Sequence, residues 1–187
     1  MGELGRRAVH ASGALAPLSH VAGILTWPQV RYAWTAIAVV TLVMEALRLY
    51  GGLELALYDR LTREYEQESV AGYALYMISG TPVLWLTPPA IGTPAILMLA
   101  LGDPVSGLLS SGELRSVKRP RVLVGMFAVC FALAIPFVPP LAAVAGALGA
   151  TVADGVKPIV RGYVVDDNLT IPPVSGAAMV AVFALVA

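Results

Sequence analysis

The chain has 187 residues, 58% of them hydrophobic and 13% charged, with a formal net charge of +0 and a mean hydropathy of +0.78. A soluble domain carries about 25% charged residues, so this composition argues for a bilayer and against an ordinary water-soluble fold. The equal numbers of acidic and basic residues supply no basic surplus, and no nucleic-acid partner is expected. The single cysteine, Cys130, excludes an internal disulfide and reads as a small packing residue.

The chain opens with Arg6-Arg7 ahead of an apolar stretch, the outline of a signal peptide. His10, Ser12, Ser19 and His20 interrupt that stretch and many apolar segments follow it, so it reads as an uncleaved first helix. A membrane-crossing helix needs roughly 20 mostly apolar residues. Segments meeting that description cover about 8–25, 31–50, 70–87, 90–111, 121–138, 140–157 and 170–187. Pro28, Pro88-Pro89, Pro139-Pro140 and Pro172-Pro173 mark borders between them, and Pro104 predicts a kink or break in the fourth. Residues 51–69 differ, with Glu54, Asp59, Glu64, Glu66 and Glu68 set among Leu53, Leu55, Leu57, Leu61 and Tyr65. This pattern predicts an amphipathic helix lying along the inner membrane surface. The fold expected is all-α: a single integral-membrane domain over 1–187, with about seven transmembrane helices and one amphipathic cytoplasmic helix.

Basic residues alternate between loops. Arg6 and Arg7, then Arg60 and Arg63, then Arg115, Lys118, Arg119 and Arg121, then Lys157 and Arg161 fall on one side; the loops after the third and fifth segments have none, and the loop after the first has only Arg31. The positive-inside rule then predicts a multi-pass cell-membrane protein with its amino terminus cytoplasmic and its carboxyl terminus outside. Glu45 with Arg48, Asp103 and Asp154 all approach the cytoplasmic ends of their segments, and His10 opens the first segment at the same face. Buried ionisable groups are costly in a bilayer and face a cavity or a partner. Several at one depth predict a polar pocket open to the cytoplasm.

Asp166-Asp167-Asn168 stand directly before the last apolar segment. Asp and Asn at a helix start serve as caps, and paired carboxylates also suit a hard cation such as Mg²⁺; both readings stand. Acids with nearby bases are the mixture phosphoryl transfer uses, because carboxylate-held Mg²⁺ bridges phosphates while bases neutralise the rest. Positive-inside topology alone explains the bases equally well. Trp27, Trp34 and Trp85 suit interfacial belts, Gly146 and Gly149 suit close helix packing, and Met98 and Met126 suit the lipid face or the core.

Several motifs together resemble the CTP-dependent lipid-alcohol kinases: dolichol kinase, phytol kinase and CTP-dependent diacylglycerol kinase. They are the opening Arg6-Arg7-Ala8-Val9-His10-Ala11-Ser12-Gly13, then Glu45-Ala46-Leu47-Arg48, Arg63-Glu64-Tyr65-Glu66 before Gly72, Leu101-Gly102-Asp103-Pro104-Val105-Ser106, Ala153-Asp154, and Asp166-Asp167-Asn168-Leu169-Thr170-Ile171-Pro172. The resemblance spans nearly the whole chain. It departs where the family often has Lys-Ser-x-Glu-Gly and this chain has Arg121-Val122-Leu123-Val124-Gly125.

The resemblance implies transfer of the CTP γ-phosphoryl group to a long-chain isoprenoid alcohol of the dolichol or polyprenol type, with Mg²⁺ as cofactor. It implies catalytic roles for Asp103, Asp166, Asp167, Asn168 and His10, with His10 or Asp166 as proton acceptor. Arg6, Arg7, Lys118, Arg119, Arg121 and Lys157 would bind the nucleotide, and Asp103, Asp154 and Asp167 the metal. The partners so implied are CTP, a membrane lipid alcohol and the bilayer; a homo-oligomer is compatible with the chain but not specified by it. Cytidylyl transfer to a lipid phosphate and ion-coupled transport are the alternative readings.

Overall fold

A computed structural model of the chain describes residues 3–52, 62, 66–110, 117–156, 159–160 and 163–186. Its helices are α1 (Glu3–Ser12), α2 (Leu15–Val21), α3 (Trp27–Tyr50), α4 (Gly72–Leu86), α5 (Pro89–Leu97), a π-helical turn (Met98–Gly102), α6 (Asp103–Leu109), α7 (Pro120–Ala134), α8 (Pro140–Gly155) and α9 (Asp167–Val186). A short antiparallel hairpin pairs β1 (Ile159–Val160) with β2 (Tyr163–Val164), an addition to the all-α expectation.

Prolines sit in the first two positions of five of these helices, α3, α5, α6, α7 and α8; in α3, α5, α7 and α8 the missing N–H costs nothing and the fixed φ already suits a helix. α3 also carries a capping box: the Gln29 side chain accepts from the Thr26 N–H at 2.8 Å and from the Thr26 hydroxyl at 2.9 Å. Pro172 and Pro173 do not form a border. They lie within α9, which already begins at Asp167.

Among the described residues, three stretches are long and apolar enough to cross a membrane: Trp27–Tyr50, Pro89–Leu109 and Asp167–Leu185. α7 and α8 are apolar but shorter. The first predicted segment is not one helix. It breaks at Gly13-Ala14, where Gly13 N–H bonds the His10 carbonyl at 3.2 Å. The break admits Tyr76, whose hydroxyl lies 2.0 Å from where a Cβ on Gly13 would stand, so only glycine fits. Most of the predicted amphipathic helix, residues 53–61 and 63–65, lies outside the described residues.

The core runs along α5 and the π turn, where Ile96, Met98 and Leu99 are fully buried, and continues into Met126 of α7 and Met179 of α9. Small residues let α8 and α9 approach closely. A Cβ on Gly146 would stand 2.8 Å from Met179, and one on Gly149 would stand 3.1 Å from the Val174 carbonyl. Trp27 and Trp34 are buried, unlike the interfacial positions expected for them, and only Trp85 is exposed. Trp34 stacks on Tyr76 instead. This packing sets the ends of α6, α8 and α9 side by side.

Candidate functional site

Asp103 opens α6, Asp154 lies in the last turn of α8 and Asp167 opens α9. One carboxylate oxygen from each falls within 4.8 Å of the other two. Asp154 and Asp167 are buried and Asp103 is half-buried. At an effective dielectric of about 20, two carboxylates at that separation repel by roughly 3–4 kcal/mol, so the cluster requires positive charge among its members.

Lys118 supplies some of it. Its ammonium donates to Asp154 Oδ1 at 2.6 Å and to Ser106 Oγ at 3.0 Å, while the Ser106 hydroxyl donates to Asp154 Oδ2 at 2.6 Å. Backbone pairing carries Lys118 there: Val117 bridges Val156, and Lys118 N–H bonds the Gly155 carbonyl at 3.0 Å. Ser106 is one turn beyond Asp103 on the same helix. Three-residue spacing puts the two on one face, the signal that identifies it as part of the site.

The π turn aims Asp103. Its N–H bonds the Met98 carbonyl, five residues back, and Pro104 has no N–H. The Leu99 carbonyl therefore loses both of its helical donors, and His10 Nε2 meets it at 2.9 Å. A carbonyl only accepts, so Nε2 carries the hydrogen and neutral His10 has its lone pair on Nδ1. The same Nε2 lies 3.7 Å from Asp103 Oδ2, and the ring sits edge-on to Tyr76. π turns of this kind occur often at functional sites.

The two readings of Asp166-Asp167 are divided between neighbours. Asp166 caps α9: its Oδ1 accepts the Asn168 backbone N–H at 2.9 Å and the Asn168 amide at 2.6 Å, and its carbonyl accepts Leu169 N–H at 3.1 Å. Asp167 turns inward to the acid cluster. Asn168 is buried beside it, and its Oδ1 has no hydrogen-bond partner among the described residues. Because Pro172 lacks an N–H, the Asn168 carbonyl loses its helical donor, and Ser79 Oγ replaces it at 2.6 Å. A proline one turn into a helix demands such a donor, although nothing local says that it comes from α4.

Glu45 and Arg48 form a separate network. Arg48 grips Glu45 through two 2.8 Å bonds and reaches the carbonyls of Gln67 (2.9 Å), Glu66 (3.2 Å) and Ser69 (2.7 Å). Glu45 accepts Ala71 N–H at 2.7 Å and the Tyr73 hydroxyl. This pins the 66–71 turn to the end of α3 and accounts for both buried charges. Of the remaining bases, Arg6 and Arg7 are half-buried on α1, and the Arg7 guanidinium packs over Gly107 of α6. Arg119 flanks the start of α7, Arg121 is exposed on its first turn, and Lys157 lies outside the described residues.

Such a cluster is of a size to hold a divalent cation. Oxygens on opposite sides of Mg²⁺ are about 4.2 Å apart, and on opposite sides of Ca²⁺ about 4.8 Å, against the 4.8 Å limit among these three. No family model matches the chain, no curated protein is similar to it, and no solved structure matches it.

Proposed function

We propose that the chain is a membrane-embedded phosphotransferase that moves the γ-phosphoryl group of CTP to the hydroxyl of a long-chain isoprenoid alcohol, as do the lipid-alcohol kinases whose motifs it resembles. The observation that carries this reading is the meeting of Asp103, Asp154 and Asp167, residues far apart in sequence, within 4.8 Å. Asp103, Asp154 and Asp167 would hold Mg²⁺, which supplies charge neutralisation at the phosphate oxygens.

The chain's own residues do the rest. Lys118 balances Asp154, and Ser106 fixes that carboxylate's orientation. Arg6, Arg7, Arg119, Arg121 and Lys157 are the bases for the nucleotide phosphates. The alcohol oxygen forms a bond to the γ-phosphorus as the bond to the β–γ bridging oxygen breaks. CDP leaves, and the hydroxyl proton passes to Asp166 or to Nδ1 of His10. The buried Oδ1 of Asn168 stands ready to accept a hydrogen bond beside the cluster.

The membrane arrangement belongs to the same proposal. The three long helices cross the bilayer, and α1–α2, α4, α7 and α8 supply shorter crossings to make seven, with the amino terminus and the acid cluster on the cytoplasmic side. A 16-residue helix such as α8 spans about 24 Å, less than the hydrocarbon thickness, and local thinning of the bilayer accommodates it. Purified protein given labelled CTP and a polyprenol should yield a lipid phosphate and CDP. Release of pyrophosphate would instead indicate cytidylyl transfer, and full activity in Asp103→Ala would overturn the site.

A further inference from the structure

We infer that the acceptor alcohol binds in a cleft beside the α9 start, next to the acid cluster, an inference that rests on the function proposed above. The cleft measures about 680 Å³ and lies between the end of α3, the turn at 67–70 and the first residues of α9. That volume falls within the roughly 300–1,000 Å³ of ligand pockets. Its apolar wall includes Tyr50, Val70, Leu75 and Leu169, and its polar lining includes Arg48, Glu68 and Asp166.

Charge decides what fits. Among the described residues of the lining, the one cationic side chain, Arg48, is already engaged by Glu45 and three backbone carbonyls. Glu68 and Asp166 add two carboxylates. Among the described residues, a triphosphate would find there carboxylates and a guanidinium already engaged. A neutral amphiphile meets an apolar wall for its chain and a carboxylate for its hydroxyl.

The approach to the cleft is also apolar. Val39, Val43, Leu47 and Tyr50 follow one another at helical spacing on α3, and all four are exposed. This stripe runs along a membrane-length helix and ends at Tyr50 on the cleft wall. A chain lying against it in the bilayer would deliver its head into the cleft. Asp166 lines the cleft while Asp167, the next residue, belongs to the acid cluster. Their Cα atoms are about 3.8 Å apart, so a hydroxyl held at Asp166 lies beside the cluster, at the first turn of α9, where the phosphoryl group would meet it. Of the two proton acceptors proposed, Asp166 is the one this placement favours.

The test uses the full chain in lipid nanodiscs and a long-chain alcohol with a photoreactive diazirine near its hydroxyl. Crosslinking followed by peptide mass spectrometry should place the label within 67–75 or 165–169, and unlabelled polyprenol should compete it away while CTP does not. Val70 is 40% exposed, so Val70→Trp narrows the cleft without entering the core, and Val70→Ser is the folded control that leaves it open. Val70→Trp should cut labelling and raise the KM for the alcohol by about tenfold, with the KM for CTP and kcat held within about twofold. Label confined to other segments, or labelling and KM unchanged in Val70→Trp, would overturn the assignment, as would a rise in the KM for CTP alone. Labelling reads occupancy without turnover. Label in the cleft with no phosphorylated product would therefore refute the reaction and keep the binding site; product with label elsewhere would do the reverse.

Discussion

Lys118→Met asks whether Lys118 serves Asp154 or a nucleotide. Methionine keeps much of the stem and removes the charge. Asp154 is fully buried and, among the described residues, would keep only the Ser106 hydroxyl as a side-chain donor; Lys118 is 17% exposed. Removing one partner of a buried ion pair costs roughly 3–5 kcal/mol, and the residual exposure of Lys118 places the expectation at about 3 kcal/mol. For a chain of this length that corresponds to a fall in Tm of roughly 6–12 °C. Asp154→Asn removes the stranded charge and retains an oxygen for Ser106, so the double variant should recover most of the loss, a coupling on the order of 2 kcal/mol. Circular-dichroism melts in detergent of the wild type, both single variants and the double variant measure it. A counter-charge role for Lys118 is refuted if Lys118→Met melts within about 2 °C of wild type, or if the double variant is no more stable than Lys118→Met. A raised KM for CTP with an unchanged melt would return Lys118 to the nucleotide.

Three further outcomes are expected. Mn²⁺ should bind the wild type, and Asp167→Asn should weaken that binding by at least about tenfold as read by electron paramagnetic resonance; equal binding in both would show that the aspartates do not hold the ion. Asp166→Ala should lose about 0.5–2 kcal/mol as a missing cap, and Asp166→Ser should restore the melt but not the turnover; restored turnover would make Asp166 a cap alone. The Tyr76 hydroxyl is buried with no partner among the described residues, so Tyr76→Phe should leave the melt equal or higher, and it should relieve Gly13→Ala, which alone should cost about 1–3 kcal/mol through overpacking. No relief in the double variant would show that the Gly13–Tyr76 contact is not what limits the site.

Much of the acid cluster was legible from residues alone. Alternating loop charge assigned a depth to each segment end, and Asp103, Asp154 and Asp167 all fell at ends of one polarity. The bends that make them meet were not legible. Pro104 announces a disturbance, yet the π turn lies just before it and depends on which carbonyls the tertiary structure can satisfy. His10 was legible as a residue of the site, but its partner is a carbonyl 89 positions away. Asp166 and Asp167 have the same chemistry, and only helix phase separates cap from cluster. Glu45 and Arg48 looked like part of the pocket because depth was the only coordinate available; their hydrogen bonds instead tie down the 66–71 turn.

The π turn makes the aim of Asp103 a matter of counting. An α-helix advances about 100° per residue, and the wide turn at Met98–Gly102 shifts the phase of all that follows it relative to α5. Deleting Ala100, a fully buried residue that contributes no polar side chain, would leave Asp103 N–H on the Met98 carbonyl as an ordinary four-residue bond, so Asp103 would keep its direction. The wide turn thus gives the chain one residue of slack: one deletion there spares the trio, while a further one in a helix already regular would swing Asp103 by about 100° and part it with every carboxylate intact.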